Sequence, residues 1–445
     1  MERLPAMPDN LPPSPPKEKP PVCNEQNLEL KIRPGYRLVI DVRTGQRGLP
    51  LFKIDRWFNL FRFIRESAMN PARLAFAAIL ISAVVLLTGL PHDPMRFTPG
   101  EAYSSVRAAE LLQSGLRSKQ GQVLPAFFQG EGGSYSLGAS VYLQLLPQLL
   151  GFGTVVWVRG FNAVLSLAGL SWLAWTLWRV YRLAYAWMVL PLAAGLPIWF
   201  YFSRSGSEAI QAAVFGSAAL AGYVFYRSER TRWLPLAGLL GWLAFYTNPA
   251  MRLATMIACV LLGISDYRYH IAHRHAWLIT AVLSLPFAAA FIRSLVTFPG
   301  LLTTEVWQNG LVDQFLQVVN PFFWMTGSEN IRPMYTFEGP PLGWPALPLA
   351  AWGLVQITRR FQGWENRVVL IALVSAVAGP ALSGPKIETL LPFVLALAVL
   401  ATFGLHDLLS RMARRWQRMP AWLPGMGLLL ILGAICLGLF ISTPG

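Results

Sequence analysis

Three cysteines in 445 residues leave almost no cross-linking chemistry. Cys23 lies in a polar N-terminal region, while Cys259 and Cys436 lie inside apolar runs. No pair suggests a disulfide, and no spacing suggests a metal site. Charge is scarce too, at 13% of residues, and acids are the scarcer sign, 22 against 37 Lys and Arg. A Gly-rich phosphate loop of the Walker type is missing, which argues against a nucleotide-driven pump. The two halves do not repeat and show no matched pair of interrupted apolar segments, which argues against a transporter. The first long apolar run begins only after residue 73. No cleavable signal peptide is therefore expected, and that run should act as an uncleaved anchor.

What the chain has in quantity is apolar surface. Hydrophobic residues make up 54% of it, including 17 Trp. The first clear run, LAFAAILISAVVLLTGL, covers 17 residues from Leu74 to Leu90 with no charge. Ten more apolar segments fall near 158–178, 184–201, 207–226, 233–247, 250–265, 276–292, 344–358, 368–384, 390–408 and 422–441. The expected class is an all-α polytopic membrane protein with about eleven transmembrane helices. Two connecting loops are long, 91–157 and 293–343.

Eleven spans with a cytosolic N-terminus place 27 basic residues on the cytosolic side and 10 on the outer side. Acids divide 12 to 10, so the cytosolic side carries the entire net charge of +15. The positive-inside rule accounts for this bias, and nucleic acid is not needed as a partner. His270, His273 and His275 lie among Arg268 and Arg274 on the cytosolic side, and read as a basic interfacial loop rather than a metal cluster.

Residues 1–50 form a leader. Its first part is Pro-rich and polar and is expected to be disordered. The stretch LELKIRPGYRLVIDV (28–42) alternates around Pro-Gly as a small hairpin. Residues 51–73 follow as a basic interfacial segment. Leu51, Ile54, Trp57, Phe58 and Phe61 share one helical face there, with Lys53, Arg56, Arg62 and Arg65 on the flanks or opposite, which suits anionic lipid. Residues 28–66 could also meet a protein partner. The domain at 74–445 holds the spans. Within the first outer loop, 100–115 reads as a helix ending at Gly115, and 136–153 as a juxtamembrane helix interrupted by Pro147.

Several motifs, in order over roughly residues 74–410, resemble those of the C-type membrane glycosyltransferases (GT-C). The nearest likeness is to the dolichyl-phosphate-mannose protein mannosyltransferases and the bacterial aminoarabinose transferases. TPGEAYSSVRAAELLQSG matches the first-loop motif at Glu101, Ala102 and Tyr103, but Gly100 stands where that family has Asp. YLQLLPQLLGFG followed by Arg159 matches the juxtamembrane segment. FSRSGSE gives Ser203, Arg204, Gly206 and Glu208. YTNPAMR gives Tyr246 and Arg252. GSENIRPMYTFEGPPL gives Glu329, Arg332 and Pro340, and departs from the pattern elsewhere. In GPKIETLLP, Lys386 stands six residues before Pro392, where the family has Arg.

The resemblance implies transfer of a sugar from a polyprenyl-phosphate donor to an acceptor on the outer side. It also implies a multi-pass protein of the plasma membrane, the bacterial inner membrane being the expected one. Such chemistry needs a carboxylate at the acceptor hydroxyl and cations at the leaving phosphate. Glu101 and Glu208 are the candidate acids. Arg204, Arg252, Lys386, Arg332 and Tyr246 are the candidate donor-binding residues. A divalent metal is the one cofactor left open, with no ligand set assigned to it. Read alone, Arg204 and Glu208 are also four residues apart and could form an i,i+4 pair. Because Gly100 replaces the usual base, an inactive glycosyltransferase-like subunit of a membrane assembly stays open as the alternative.

The charge bias makes a direct prediction. In a cysteine-free background, Gly130→Cys should react with a membrane-impermeant thiol reagent added outside intact cells. Protection from outside with reaction from inside would overturn the topology.

Overall fold

The structure, a computed structural model, describes residues 28–33, 36–40, 71–88, 90, 99–117, 121–129, 135–151, 154–297, 310–320, 346–384 and 386–415. Contacts separate residues 1–60 from residues 61–445. In the first unit β1 (Leu28–Arg33) pairs antiparallel with β2 (Tyr36–Ile40), setting Leu28 opposite Ile40 and Lys31 opposite Arg37. The expected interfacial helix at 51–66, the expected span at 422–441 and Arg332 lie outside the described residues.

The second unit is helical. It opens with α1 (Pro71–Leu87), then α2 (Pro99–Gln113). A short hairpin, β3 (Phe127–Gln129) and β4 (Tyr135–Leu137), leads into α3 (Gly138–Leu149), which carries Pro147. The helices α4 (Val155–Arg179), α5 (Val189–Ala194), α6 (Pro197–Ser203), α7 (Glu208–Ser228) and α8 (Trp233–Phe245) follow. Next come α9 (Pro249–Ser265), α10 (Tyr267–Ala272), α11 (Arg274–Thr297) and α12 (Leu311–Val319). The bundle ends with α13 (Ala346–Arg359), α14 (Trp364–Ser383) and α15 (Leu391–Arg415).

Five helical stretches are long and apolar enough to cross a membrane, or six if one bent pair counts as a single span. The chain is a multi-pass membrane protein. The count of eleven full spans is not reached among the described residues, and two physical causes stand out. The segment expected to span at 184–201 is broken, with its halves bent by 79° between Ala194 and Pro197. Leu196 is extended (φ −77°, ψ 124°), and Pro197 starts α6, where its missing N–H costs nothing. The other cause is length. Ala75–Leu87, Trp233–Phe245 and Pro249–Ser265 are apolar but short.

Packing relies on small residues where helices meet most closely. A Cβ placed on Gly353 of α13 would run into the carbonyl of Leu400, and one on Gly404 of α15 into that of Leu349. The two backbones therefore touch, as small residues permit in membranes. The main core gathers Trp199 and Phe202 from α6, Ile210 from α7, Val377 from α14 and Val394 from α15, with Leu390 from the turn before α15. A cavity of about 440 Å³ remains between α7, α8, α9, α14 and α15, with Cys259 in its wall.

One end of the bundle is fastened by a buried carboxylate. Asp266, between α9 and α10, accepts from Arg227 Nε at 2.9 Å, from Arg367 at 3.2 Å and from Tyr223 Oη at 2.9 Å. It thereby ties α7 and α14 to the α9–α10 turn. His270 packs into the same node, 3.2 Å from the Tyr223 hydroxyl and stacked on Tyr226. This corrects the reading of a purely interfacial histidine loop, because His270 is buried at 8% exposure. The sequence could not show it, since Tyr223 and Tyr226 lie more than forty residues away along the chain.

Burial lowers the His270 pKa from its ordinary 6.5, and this outweighs the raising effects of the Leu262 carbonyl and Asp266. Between the folded and unfolded pKa values the unfolded chain binds more protons, so stability falls as pH drops below about 6.5. Above that pH the effect is absent. His270→Gln should flatten the acid-side loss in a melting series from about pH 8 to 5, and an unchanged slope would contradict this assignment. Asp266→Asn should cost about 3 kcal/mol, because two guanidinium groups lose their counter-charge.

Candidate functional site

The corner between α8 and α9 is built by three residues close together in sequence. Tyr246 caps the end of α8. Asn248 is extended, as a residue before proline tends to be, and its side chain accepts from the Ala250 N–H at 2.9 Å. Pro249 then opens α9 at a position where its missing donor is harmless. This arrangement sets Arg252 in the first turn of α9, with its N–H on the Asn248 carbonyl at 2.9 Å.

Arg252 is 8% exposed. Its guanidinium carbon lies 5.4 Å from the Phe245 ring and 5.6 Å from both Phe127 and Phe291. Among the described residues its Nε has no hydrogen-bond partner. Aromatic faces offset part of the desolvation, by about 0.5–2 kcal/mol per contact, but they do not replace a counter-anion. A buried cation walled by aromatic rings is therefore poised for a negatively charged group.

Tyr246 enters this corner as a fastener. Its hydroxyl donates to the Phe287 carbonyl at 2.6 Å, and its own carbonyl accepts from the Ala139 N–H at 3.1 Å. Its ring meets Phe127 edge-on, with centroids 6.0 Å apart. The β3–α3 segment of the first long loop is thus docked onto the α8–α9 corner, and Phe127 is delivered to Arg252. With its hydroxyl committed to backbone, Tyr246 shapes the Arg252 surroundings instead of offering a donor.

A second group of residues gathers where the broken helix turns into α7. Arg204 caps α6, is 7% exposed and lies 4.6 Å over the Phe200 ring. Glu208 is the first residue of α7, after Ser207, whose hydroxyl accepts from the Ala209 N–H. The helix end favours a carboxylate there. Because Arg204 and Glu208 sit on different helices, the i,i+4 helical pairing open in the sequence does not apply. The intervening loop is held from within the bundle. Asn162 donates to the Ser205 carbonyl at 2.9 Å, and Gln211 donates to Asn162 Oδ1 at 3.0 Å.

Lys386 precedes a short 3-10 turn, Ile387–Leu390, and is exposed. Its N–H donates to Thr389 Oγ1 at 3.1 Å. Gly384, at φ 91°, ends α14 in a conformation that a side chain would strain. Glu388 on this turn is close enough to act electrostatically on Glu208. Phe202 and Leu390 also belong to one packed core, so the elements carrying Arg204, Glu208 and Lys386 meet. Arg252 is carried by a different element, α9, which packs on α14. Gly379, late in α14, lies against the Ala250 carbonyl of α9.

Glu101 lies in the first turn of α2, and its side chain is outside the described residues. Among the described residues no three His, Cys, Asp or Glu side chains converge as a metal site requires. Four contributors escaped the sequence reading. Asn162 and Gln211 had a usable signal, since uncharged polar residues inside apolar spans tend to be bonded and purposeful. Glu388 stood two residues from Lys386. Phe127 had no signal, because only the return of its loop brings it to Arg252.

No protein-family model and no curated protein matches the chain. Solved structures do. ArnT from Cupriavidus metallidurans in the apo state aligns at 16% identity and a TM-score of 0.53, over 82% of this chain and 62% of that one. ArnT bound to undecaprenyl phosphate aligns at 14% and 0.53, over 88% and 73%. The archaeal oligosaccharyltransferase AglB from Archaeoglobus fulgidus, in complex with an inhibitory peptide and a dolichol-phosphate, aligns at 14% and 0.53, over 84% and 55%. The chain thus spans less than two thirds of apo ArnT and little more than half of AglB. The fold is that of the C-type membrane glycosyltransferases.

Proposed function

We propose that this chain is a membrane glycosyltransferase that moves a sugar from a polyprenyl-phosphate donor to an acceptor at the outer membrane surface. The observation that carries the reading is Arg252, a buried guanidinium with aromatic walls and no anionic partner among the described residues. Its place at the start of an apolar helix suits the phosphate of a lipid whose chain stays in the bilayer. Neighbours of the same fold were solved with undecaprenyl phosphate and with dolichol-phosphate, which supports the same ligand class.

In this reading Arg252, Arg204 and Lys386 hold the donor phosphate and neutralise it as it leaves. The acceptor hydroxyl oxygen forms a bond to the anomeric carbon while the bond from that carbon to the phosphate oxygen breaks. The hydroxyl proton passes to a carboxylate, and the electron pair leaves with the phosphate. Glu101 is the first candidate base, since it stands beside the Gly100 that replaces the family's Asp. Glu208, at a helix start, is the second. Arg332 would add a further cation from the second long loop. Gly100, with the departures in the second long loop and the long N-terminal leader, also favours a second reading, an inactive relative that serves as a subunit of a membrane assembly through residues 28–66.

Two variants separate these readings. Arg252→Met should weaken polyprenyl-phosphate binding by about tenfold to a hundredfold, the scale of a lost charge-assisted hydrogen bond. It should also leave the melting temperature equal or higher, because an unpaired buried charge is removed. Unaltered lipid-phosphate binding would sink the assignment. Glu101→Gln keeps the shape and removes the base, and should reduce turnover about a hundredfold or more. A wild-type protein that binds the lipid phosphate in a fixed complex with another subunit, and transfers nothing, would establish the second reading.

A further inference from the structure

At the end of the bundle away from Arg252 lies a second cavity of about 380 Å³, and it is polar where the central one is apolar. The separation follows from α9. Arg252 stands in its first turn and Asp266 just past its end, about 20 Å on at 1.5 Å per residue. Asp266 is bonded to Arg367. Glu365, two residues before Arg367, lines the polar cavity. The cavity opens between the C-terminal ends of α4 and α13, the start of α14 and the second half of α15.

Its walls carry both signs of charge. Arg360 comes from just past α13, Glu365 from the first turn of α14 and Asp407 from α15. Among the described residues neither Arg360 nor Glu365 makes an ion pair, although five positions separate them along the chain. Asp407 accepts from Trp352 Nε1 at 2.9 Å and is paired with Arg411 Nε at 2.7 Å, which offsets its charge. Gln356 stands four residues before Arg360, and His406 adjoins Asp407 along the chain. Gln356 and His406 line the cavity, and the Gln356 amide nitrogen and His406 Nδ1 have no hydrogen-bond partner among the described residues. The walls are rigid. Tyr181 donates to the Glu365 carbonyl at 3.0 Å, and Asn366 donates to the Arg360 carbonyl at 2.8 Å.

A purely anionic ligand would face the Glu365 carboxylate here, and a purely cationic one would face Arg360. We infer that this cavity binds a dipolar phosphoethanolamine group, with the phosphate on Arg360 and Gln356 and the primary ammonium on Glu365. A quaternary ammonium could not donate the hydrogen bonds that Glu365 accepts. Because the cavity lies at the ends of membrane-spanning helices, at headgroup depth, the expected source is phosphatidylethanolamine. Phe403 and Leu183, also in the lining, suit the first carbons of its chains. The inference stands apart from the proposed transfer reaction, since it uses none of the residues assigned to it.

The test uses the full-length protein in nanodiscs of phosphatidylethanolamine, phosphatidylcholine or phosphatidylglycerol, with retained lipid counted by native mass spectrometry. Retention of the ethanolamine lipid should exceed that of the other two about tenfold. Arg360→Gln should lower it about tenfold, and Glu365→Gln should abolish the preference over phosphatidylglycerol. Polyprenyl-phosphate binding at Arg252 should stay unchanged in both variants, which keeps this test separate from that of the transfer reaction. Soluble glycerophosphoethanolamine, titrated by calorimetry, distinguishes the sources. Weaker binding than the lipid assigns the membrane, and equal binding assigns a soluble ligand of the same chemistry. Equal retention of all three lipids, or unchanged selectivity in both variants, would overturn the inference.

Discussion

Inside a bilayer the backbone has no water to bond to, so its hydrogen bonding must be complete wherever the chain meets lipid. Chemistry is consequently displaced to helix breaks and ends, where donors and side chains become available. The arrangement here follows that constraint closely. Arg204 and Glu208 flank the loop between the broken helix and α7. Arg252 follows the Asn248–Pro249 corner, and Lys386 follows the Gly384 turn. Each is fixed by a local device, a cap, a proline or a glycine, that also ends a helix.

The two ends of the bundle treat charge in opposite ways. Asp266 is saturated by Arg227, Arg367 and Tyr223, so its burial stabilises the packing of three helical segments. Arg252 is as deeply buried and has rings around it in place of an acid. A protein that needed only to fold would gain by an apolar residue at that position. Keeping the cation is consistent with a ligand supplying the missing anion, at some cost to the free protein's stability.

The first long loop has a structural role. Its hairpin and α3 dock on the α8–α9 corner through Ala139, Tyr246 and Phe127, which makes the Arg252 surroundings a product of two distant parts of the chain. The replacement of Asp by Gly100 falls at the start of α2 in that same loop. Glu101 and Glu208, the candidate acids of the proposed reaction, stand at the starts of two different helices, α2 and α7.

The sequence by itself determined the membrane class, the helical first loop with Pro147 inside α3, and the order of motifs that marks the glycosyltransferase-like fold. These are written in hydropathy and local spacing, which act over a few turns of helix. Through the same motif matches it also pointed to Arg204, Arg252 and Lys386, each at the edge of an apolar run. Only the tertiary structure decided that the 184–201 segment bends at Leu196–Pro197, that His270 is buried, that the Tyr246 hydroxyl belongs to Phe287, and that Phe127 covers Arg252. Each of these depends on a partner tens of residues away or on the competition between local backbone breaks and burial. Hydropathy averages over such choices, and packing makes them.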